Sequence, residues 1–139
     1  MTQINAYLGF NGQCREAMNF YKDCLDAELT MQSVSETPMA AQCPESMKDH
    51  IMHAELKKNS LLLMATDMVP VGEEVIRGNN FALSLSCSSE EEIHHFFDKL
   101  SAGGKIIEPV KQQFWGALFG VFTDKFGIRW MLNFDKNQQ

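Results

Sequence analysis

No C-x-x-C pair occurs in this chain. Its four cysteines, Cys14, Cys24, Cys43 and Cys87, stand singly, which argues against a thiolate zinc site or a dithiol redox motif. Single cysteines of this kind serve as small buried hydrophobes and fit a reducing cytosol. Long apolar runs are missing too. Nothing approaches the ~20 residues that a membrane-spanning helix needs, and the N-terminus enters strand-like sequence without the basic segment and apolar core of a secretory signal. These absences predict a cytoplasmic protein with no membrane partner. Lys and Arg form no cluster, and the formal net charge is -6. Without a phosphate-binding stripe, nucleic acid is not an expected partner. What remains, 139 residues of which 45% are hydrophobic, is enough to bury a core without staples.

The most informative stretch present runs from Thr123 to Asn133. Asp124 to Gly127 has turn chemistry, and β-type residues flank it, so Leu118 to Thr123 and Ile128 to Phe134 are predicted as the two strands of a hairpin. In the second strand Arg129, Met131 and Asn133 alternate with Trp130, Leu132 and Phe134. The Arg and Asn face therefore meets solvent or lines a pocket rather than packing on a helix.

Upstream, Ile4 to Phe10 is predicted as a strand and Asn11-Gly12 as a turn. Cys14, Ala17, Met18, Tyr21 and Leu25 then mark the buried face of a helix. Ala27 to Ser35, Ile51 to Lys57 and Leu61 to Thr66 are further strands, and Glu36 to Asp49 is a loop that could act as a lid. After a linker at 68–79, containing Pro70, Gly72 and Gly78, the pattern repeats. Asn80 to Cys87 is a strand, Ser89 and Glu92 form a capping box ahead of Ile93, Phe96, Phe97 and Leu100, and Gly103-Gly104 stops the helix. Lys105 to Val110 and the hairpin complete a second β, α, β, β, β unit. The expected fold is α+β, a single domain over 1–139 with module one at 1–67 and module two at 80–135. Two curved sheets, each covered by one helix, would face a shared cleft.

Alternation then nominates the cleft residues. Met52, Ala54 and Leu56 suit the helix-covered face, which puts Ile51, His53, Glu55 and Lys57 on the other. His53 and Glu55 at i, i+2 could be a general base with its orienting carboxylate, or simply a sheet-face pair bonded to neighbours. The same logic places Asn5, Tyr7 and Gly9, and Asn80, Ala82, Ser84 and Ser86, on cleft faces, a polar and uncharged lining suited to a small organic ligand or to burial against a second subunit. Arg129 and Met131 join them from the last strand. Phe122 is expected in the core, whereas Trp115, near a turn, is either core or ligand platform. Met31, Met39, Met52 and Met64 could form an adaptable pocket wall. His94 and His95 should face solvent, and Cys43 has no basic sequence neighbour to activate it.

The tandem units resemble the vicinal oxygen chelate superfamily, which includes glyoxalase I, extradiol dioxygenases and the bleomycin and fosfomycin resistance proteins. Phe114-Trp115, Phe119-Gly120, Thr123-Asp124-Lys125-Phe126-Gly127, Trp130-Met131 and Asn133, with His53-Ala54 and Ala65-Thr66-Asp67, are similar to its PhnB-like branch. Some members of that branch carry the label 3-demethylubiquinone 3-methyltransferase. Such chemistry usually rests on a Gly-rich turn between a strand and a helix of a parallel sheet, and this chain has neither. In metal-bearing members the ligands, usually His and Glu, come from the first and last strands of each module. The resemblance carries those places to Asn5, Met64, Asn80 and Met131. None of these four is a His or a carboxylate, so neither metal nor other cofactor is expected. The resemblance, together with open sheet edges and the swap-prone linker, implies a homodimer. The functional expectation is a small-molecule binder whose cleft lacks the usual metal. The alternative is a metal-independent or atypical-metal lyase or isomerase using His53 and Glu55.

Overall fold

The computed structural model describes residues 2–68 and 74–136. Most of the linker expected at 68–79 can be followed, but residues 69–73, Pro70 and Gly72 among them, lie outside the described residues. The chain divides into two compact units, Met1–Ile76 and Arg77–Gln139.

In the first unit β1 (Ala6–Gly9) leads to α1 (Cys14–Leu25), followed by β2 (Glu28–Ser33), β3 (Ile51–Lys58) and β4 (Leu61–Thr66). The sheet order is β1-β4-β3-β2. β1 lies parallel to β4, and the other pairings are antiparallel. α1 buries Cys14, Ala17, Met18, Tyr21, Cys24 and Leu25, the periodic face expected from sequence plus one cysteine. Against them pack Ala54, Leu56, Leu63 and Ala65 of the sheet, all buried. Each large apolar side chain so removed from water contributes about 1.5–3 kcal/mol, so this one-sided core holds the helix in place. Among the described residues of this unit, α1 packs on that face alone.

The start of α1 is fixed from a distance. No side chain caps its N-terminus at Gln13. Instead Asp67, just past β4 and 2% exposed, accepts from Gly12 N at 2.8 Å and Cys14 N at 3.0 Å through Oδ1, and from Ile51 N at 2.8 Å through Oδ2. One carboxylate thus ties the helix entrance to the beginning of β3, with its charge compensated by three N–H dipoles.

The second unit repeats the order with β5 (Leu83–Ser86), α2 (Glu90–Ser101), β6 (Lys105–Gln112), β7 (Leu118–Thr123) and β8 (Arg129–Phe134). Its sheet runs β5-β8-β7-β6, with β5 parallel to β8. Ile93, Phe96, Phe97 and Leu100 are the buried apolar residues of α2, as their spacing predicts. The Phe97 ring of α2 lies close over Gly120 of the sheet, where a Cβ would stand 2.6 Å from Phe97 Cε2 and 2.9 Å from Val110 Cγ2. Phe97 meets Phe122 edge-on at 5.0 Å, and Phe122 is fully buried, a core residue as expected.

The hairpin from β7 to β8 is organised by Asp124, 3% exposed. Its Oδ1 accepts from Phe126 N and Ile128 N, its Oδ2 accepts from Trp130 Nε1 at 2.8 Å, and Gly127 supplies the positive φ of 87° that closes the turn.

Several expected boundaries need correction. β1 is shorter than Ile4 to Phe10, because Ile4 and Asn5 lie beyond the stretch paired with β4, and both are exposed. β2 ends at Ser33, where Glu36 accepts from the Ser33 backbone at 3.0 Å and hydroxyl at 2.8 Å and starts the first of three short 3-10 turns, Val34–Glu36, Pro38–Gln42 and Glu45–Met47. Ile51 does not share the face of His53 and Glu55. Gln32 pairs with His53 and Ser33 with Ile51, so Met52 is an extra residue, and this bulge turns Ile51 into the core, where it is fully buried. β5 begins at Leu83 rather than Asn80, leaving Asn79 and Asn80 in a bend. β6 continues to Gln112 as an outer strand with two register shifts, a setting that tolerates Pro109. At the start of α2, Ser89 Oγ accepts from Glu92 N as the capping box requires, but Glu92 returns its bond to Ser88 N.

Candidate functional site

The face of the first sheet opposite α1 gathers four of the sequence-nominated residues, Tyr7, His53, Glu55 and Met64. Tyr7 of β1 stands beside Met64 of β4, Met64 beside Glu55 of β3, and Glu55 beside Thr30 of β2. The same alternation puts His53 one step along this face, next to Gln32. Tyr7 is 51% exposed, whereas Met64, His53 and Glu55 are half-buried.

Within this row the polar groups form a chain. Tyr7 Oη lies 2.9 Å from His53 Nδ1, and the two rings meet at 5.7 Å and 46°. On the far side of the imidazole, Nε2 is 3.3 Å from Glu55 Oε1, and Lys57 Nζ is 3.4 Å from Glu55 Oε2. Hydrogen bonds from His53 and then Lys57 hold the Glu55 carboxyl below the usual range, so it is ionised at neutral pH. Burial, with smaller contributions from Cys14 and Glu55, raises the Tyr7 hydroxyl above an ordinary phenol, so it is protonated there. The face therefore offers one phenol, one imidazole and one ion-paired carboxylate in hydrogen-bonded sequence. Leu62 and Met64, both half-buried, supply apolar area beside them.

The remaining nominated residues lie elsewhere. Asn5 is exposed, ahead of β1. In the second unit Met131 faces Ser84 on one side and Val121 on the other. Arg129 shares its face, donating from Nη1 to Asn79 O at 3.3 Å, while its buried Nε meets no hydrogen-bond partner among the described residues. Asn80 is exposed in the bend before β5 and so contributes nothing to the sheet face. Trp115 is 49% exposed between β6 and β7, stacked edge-on against Phe114 at 4.9 Å and Phe119 at 5.9 Å. Of the two options left open for it, full burial is not the one adopted. His94 and His95 are exposed on α2, as their spacing predicts.

Sequence reasoning missed two residues of the first face, the work of Asp67, and the bond that Asp124 accepts from Trp130. Thr30 and Gln32 follow from the alternation of β2 once that strand is paired, but their neighbours could not be known beforehand. Asp67 was visible only as a motif letter, because its bonds run to the Gly12, Cys14 and Ile51 backbone brought up by the fold; the local turn bonds of Asp124 were legible, but its bond from Trp130 Nε1 was not.

The four positions to which the resemblance carries the superfamily's metal ligands have side chains that do not suit a divalent ion. Asn5 and Met64 in the first unit, and Asn80 and Met131 in the second, offer amides and thioethers. Iron, nickel, manganese or zinc would require imidazole or carboxylate. Among the described residues no group of three or more His, Cys, Asp and Glu side chains is placed to hold a metal. No helix among them is long and apolar enough to cross a membrane.

Two βαβββ units, each with one helix-covered and one open sheet face, define the class. The family model for the Glyoxalase/Bleomycin resistance protein/Dioxygenase superfamily matches residues 3–132, and the chain belongs to that superfamily. It falls in the PhnB-like branch. Protein YjdN of Escherichia coli (strain K12) is 37% identical over 144 residues, with 97% of each chain covered. Among solved structures, protein PA1353 from Pseudomonas aeruginosa gives a TM-score of 0.83 at 40% identity, covering 97% of this chain and 98% of that one. A PhnB protein from Bacillus cereus, provisionally described as a 3-demethylubiquinone-9 3-methyltransferase, gives 0.73 at 27% identity over 96% of this chain and 99% of its own.

Proposed function

We propose that this protein binds a small organic molecule on the open face of its first sheet, without the divalent metal of the metal-bearing members of its superfamily. The observation that carries the reading is the Tyr7, His53, Glu55 chain on a sheet face not covered by the helix of its unit. A few fixed polar groups beside apolar side chains are what orient and hold a small ligand. Neutral amide and thioether donors at the metal positions support the metal-free part.

The same chain supports a second reading, a lyase or isomerase in which His53, oriented by Glu55, moves a proton. Binding requires only a shaped surface, whereas catalysis also requires groups positioned against a transition state, so binding is the simpler inference. We place the protein in the cytoplasm, which four cysteines outside any disulfide support, and read it as a homodimer, which the exposed Ile4, Phe81 and Phe114 support.

The test has two arms. Protein purified in chelator is assayed for retained metal and then screened against a fragment library by amide chemical-shift mapping. We expect no stoichiometric metal and shifts concentrated on β1, β3 and β4. A metal held by His or carboxylate ligands, or ligands that perturb only other elements, would refute the proposal. Light scattering should give about twice the 15.8 kDa chain mass. A concentration-independent single-chain mass would remove the dimer.

A further inference from the structure

The hydrogen-bond order on this face decides which atom meets a ligand. An ionised carboxylate only accepts, so the His53 nitrogen beside Glu55, Nε2, carries the proton of the neutral imidazole. That leaves Nδ1 with a lone pair. Tyr7 Oη, 2.9 Å away, therefore donates its single proton to Nδ1. Both ring nitrogens of His53 are then engaged within the face. The Tyr7 oxygen, on the more exposed residue, retains acceptor capacity toward solvent. Next to it in register, the Met64 thioether accepts weakly and donates nothing. The positive charge of Lys57 is directed at Glu55 Oε2, 3.4 Å away.

We propose that Tyr7, rather than His53, is the ligand-contacting and specificity-determining residue of this site. It selects an uncharged molecule with an apolar body and one hydrogen-bond donor, an alcohol or an amide N–H. His53 and Glu55 are positioning residues that hold the Tyr7 proton inward and so fix its oxygen as an acceptor. The assignment rests on the reading of this face as a binding site. It does not follow from that reading alone, since an imidazole facing the ligand would accept or donate with equal ease.

The experiment uses the full chain at pH 8 and two matched probe pairs. Benzyl alcohol is compared with benzyl methyl ether, and phenylacetamide with its N,N-dimethyl derivative, so that the donor is lost while the oxygen acceptor is kept. One hydrogen bond of ordinary strength predicts that each donor probe binds about three- to tenfold tighter than its methylated partner. Tyr7→Phe should bring both ratios to near one. Long-range nitrogen–proton correlation spectra of the parent should show His53 protonated at Nε2, and Glu55→Gln should give a mixture of tautomers with a reduced ratio. A merely structural role for Glu55 would leave the tautomer unchanged. The assignment is overturned by an Nδ1-protonated His53 in the parent, by equal binding within each pair, or by ratios that survive in Tyr7→Phe. Shifts on β1, β3 and β4 without discrimination overturn the role of Tyr7 alone, whereas probes that shift only other elements overturn the binding site with it.

Discussion

Replacing Asp67 by Asn changes one atom in a buried site and should cost more than most surface substitutions together. The carboxylate is 2% exposed and takes three backbone N–H bonds, two at Oδ1 and one at Oδ2. An amide keeps only one oxygen. With that oxygen toward Gly12 and Cys14, the new NH2 points at the Ile51 N–H, donor against donor. Turned the other way, it opposes two N–H groups. The better orientation loses one charge-assisted bond and leaves a buried donor unpaired, a cost of about 2–4 kcal/mol. Asp67→Ala orphans all three donors and should cost about 3–6 kcal/mol, a large share of the 5–15 kcal/mol that domains typically possess. With a urea m-value of about 2 kcal/mol per molar, Asn should lower the unfolding midpoint by roughly 1–2 M. Equilibrium urea unfolding followed by far-UV circular dichroism measures this directly. A midpoint for Asp67→Asn within about 0.25 M of the parent would mean that these bonds are worth no more than exposed ones, and the account of how α1 is anchored would fail.

Gly120→Ala should destabilise by about 1–3 kcal/mol through overpacking, since its Cβ would lie 2.6 Å from the Phe97 ring; an unchanged melting temperature would contradict that contact. Burial pushes the Cys14 and Cys87 thiols up to about 12, aided by Asp67 and Glu92 respectively, and Cys24 is buried, so at pH 8 native protein should react with a disulfide reagent only at half-buried Cys43, apart from slow unfolding. Because the folded value lies above the ~8.5 of an unfolded thiol, this stability is complete below about pH 8.5 and is lost as pH rises toward 12, by up to about 1.4 kcal/mol per unit for each thiol. A melting temperature flat from pH 8 to 10 would refute the sign. His53→Gln alters a half-exposed sheet-face residue and should change stability by less than about 0.5 kcal/mol in urea titrations, so a larger loss would reveal a packing role.

Periodicity in the chain was enough to determine the two βαβββ units, the buried faces of both helices, and the pairing of His53 with Glu55 on one side of β3. The reason is local: side chains repeat every 3.6 residues on a helix and every two on a strand, so helix spacing marked Cys14 to Leu25, and strand spacing set His53 apart from Ala54 and Leu56. The turn at Asp124 to Gly127 was equally legible, because a short acidic side chain and a glycine meet its geometry by themselves. Where the expectation failed, a distant strand had intervened. Ile51 turned inward because β2 pairs with β3 across a bulge that no local pattern announces, and Asn80 fell outside β5 because strand length depends on the partner β8. Tertiary structure alone brought Tyr7 to His53, 46 residues apart, by laying β1 along the edge strand position beside β4, and brought Asp67 to the N-terminus of α1. Hydrogen-bond partners across a sheet are chosen by strand order and register, which are properties of the folded whole, whereas the tendency of each segment to become helix, strand or turn is already present in its own residues.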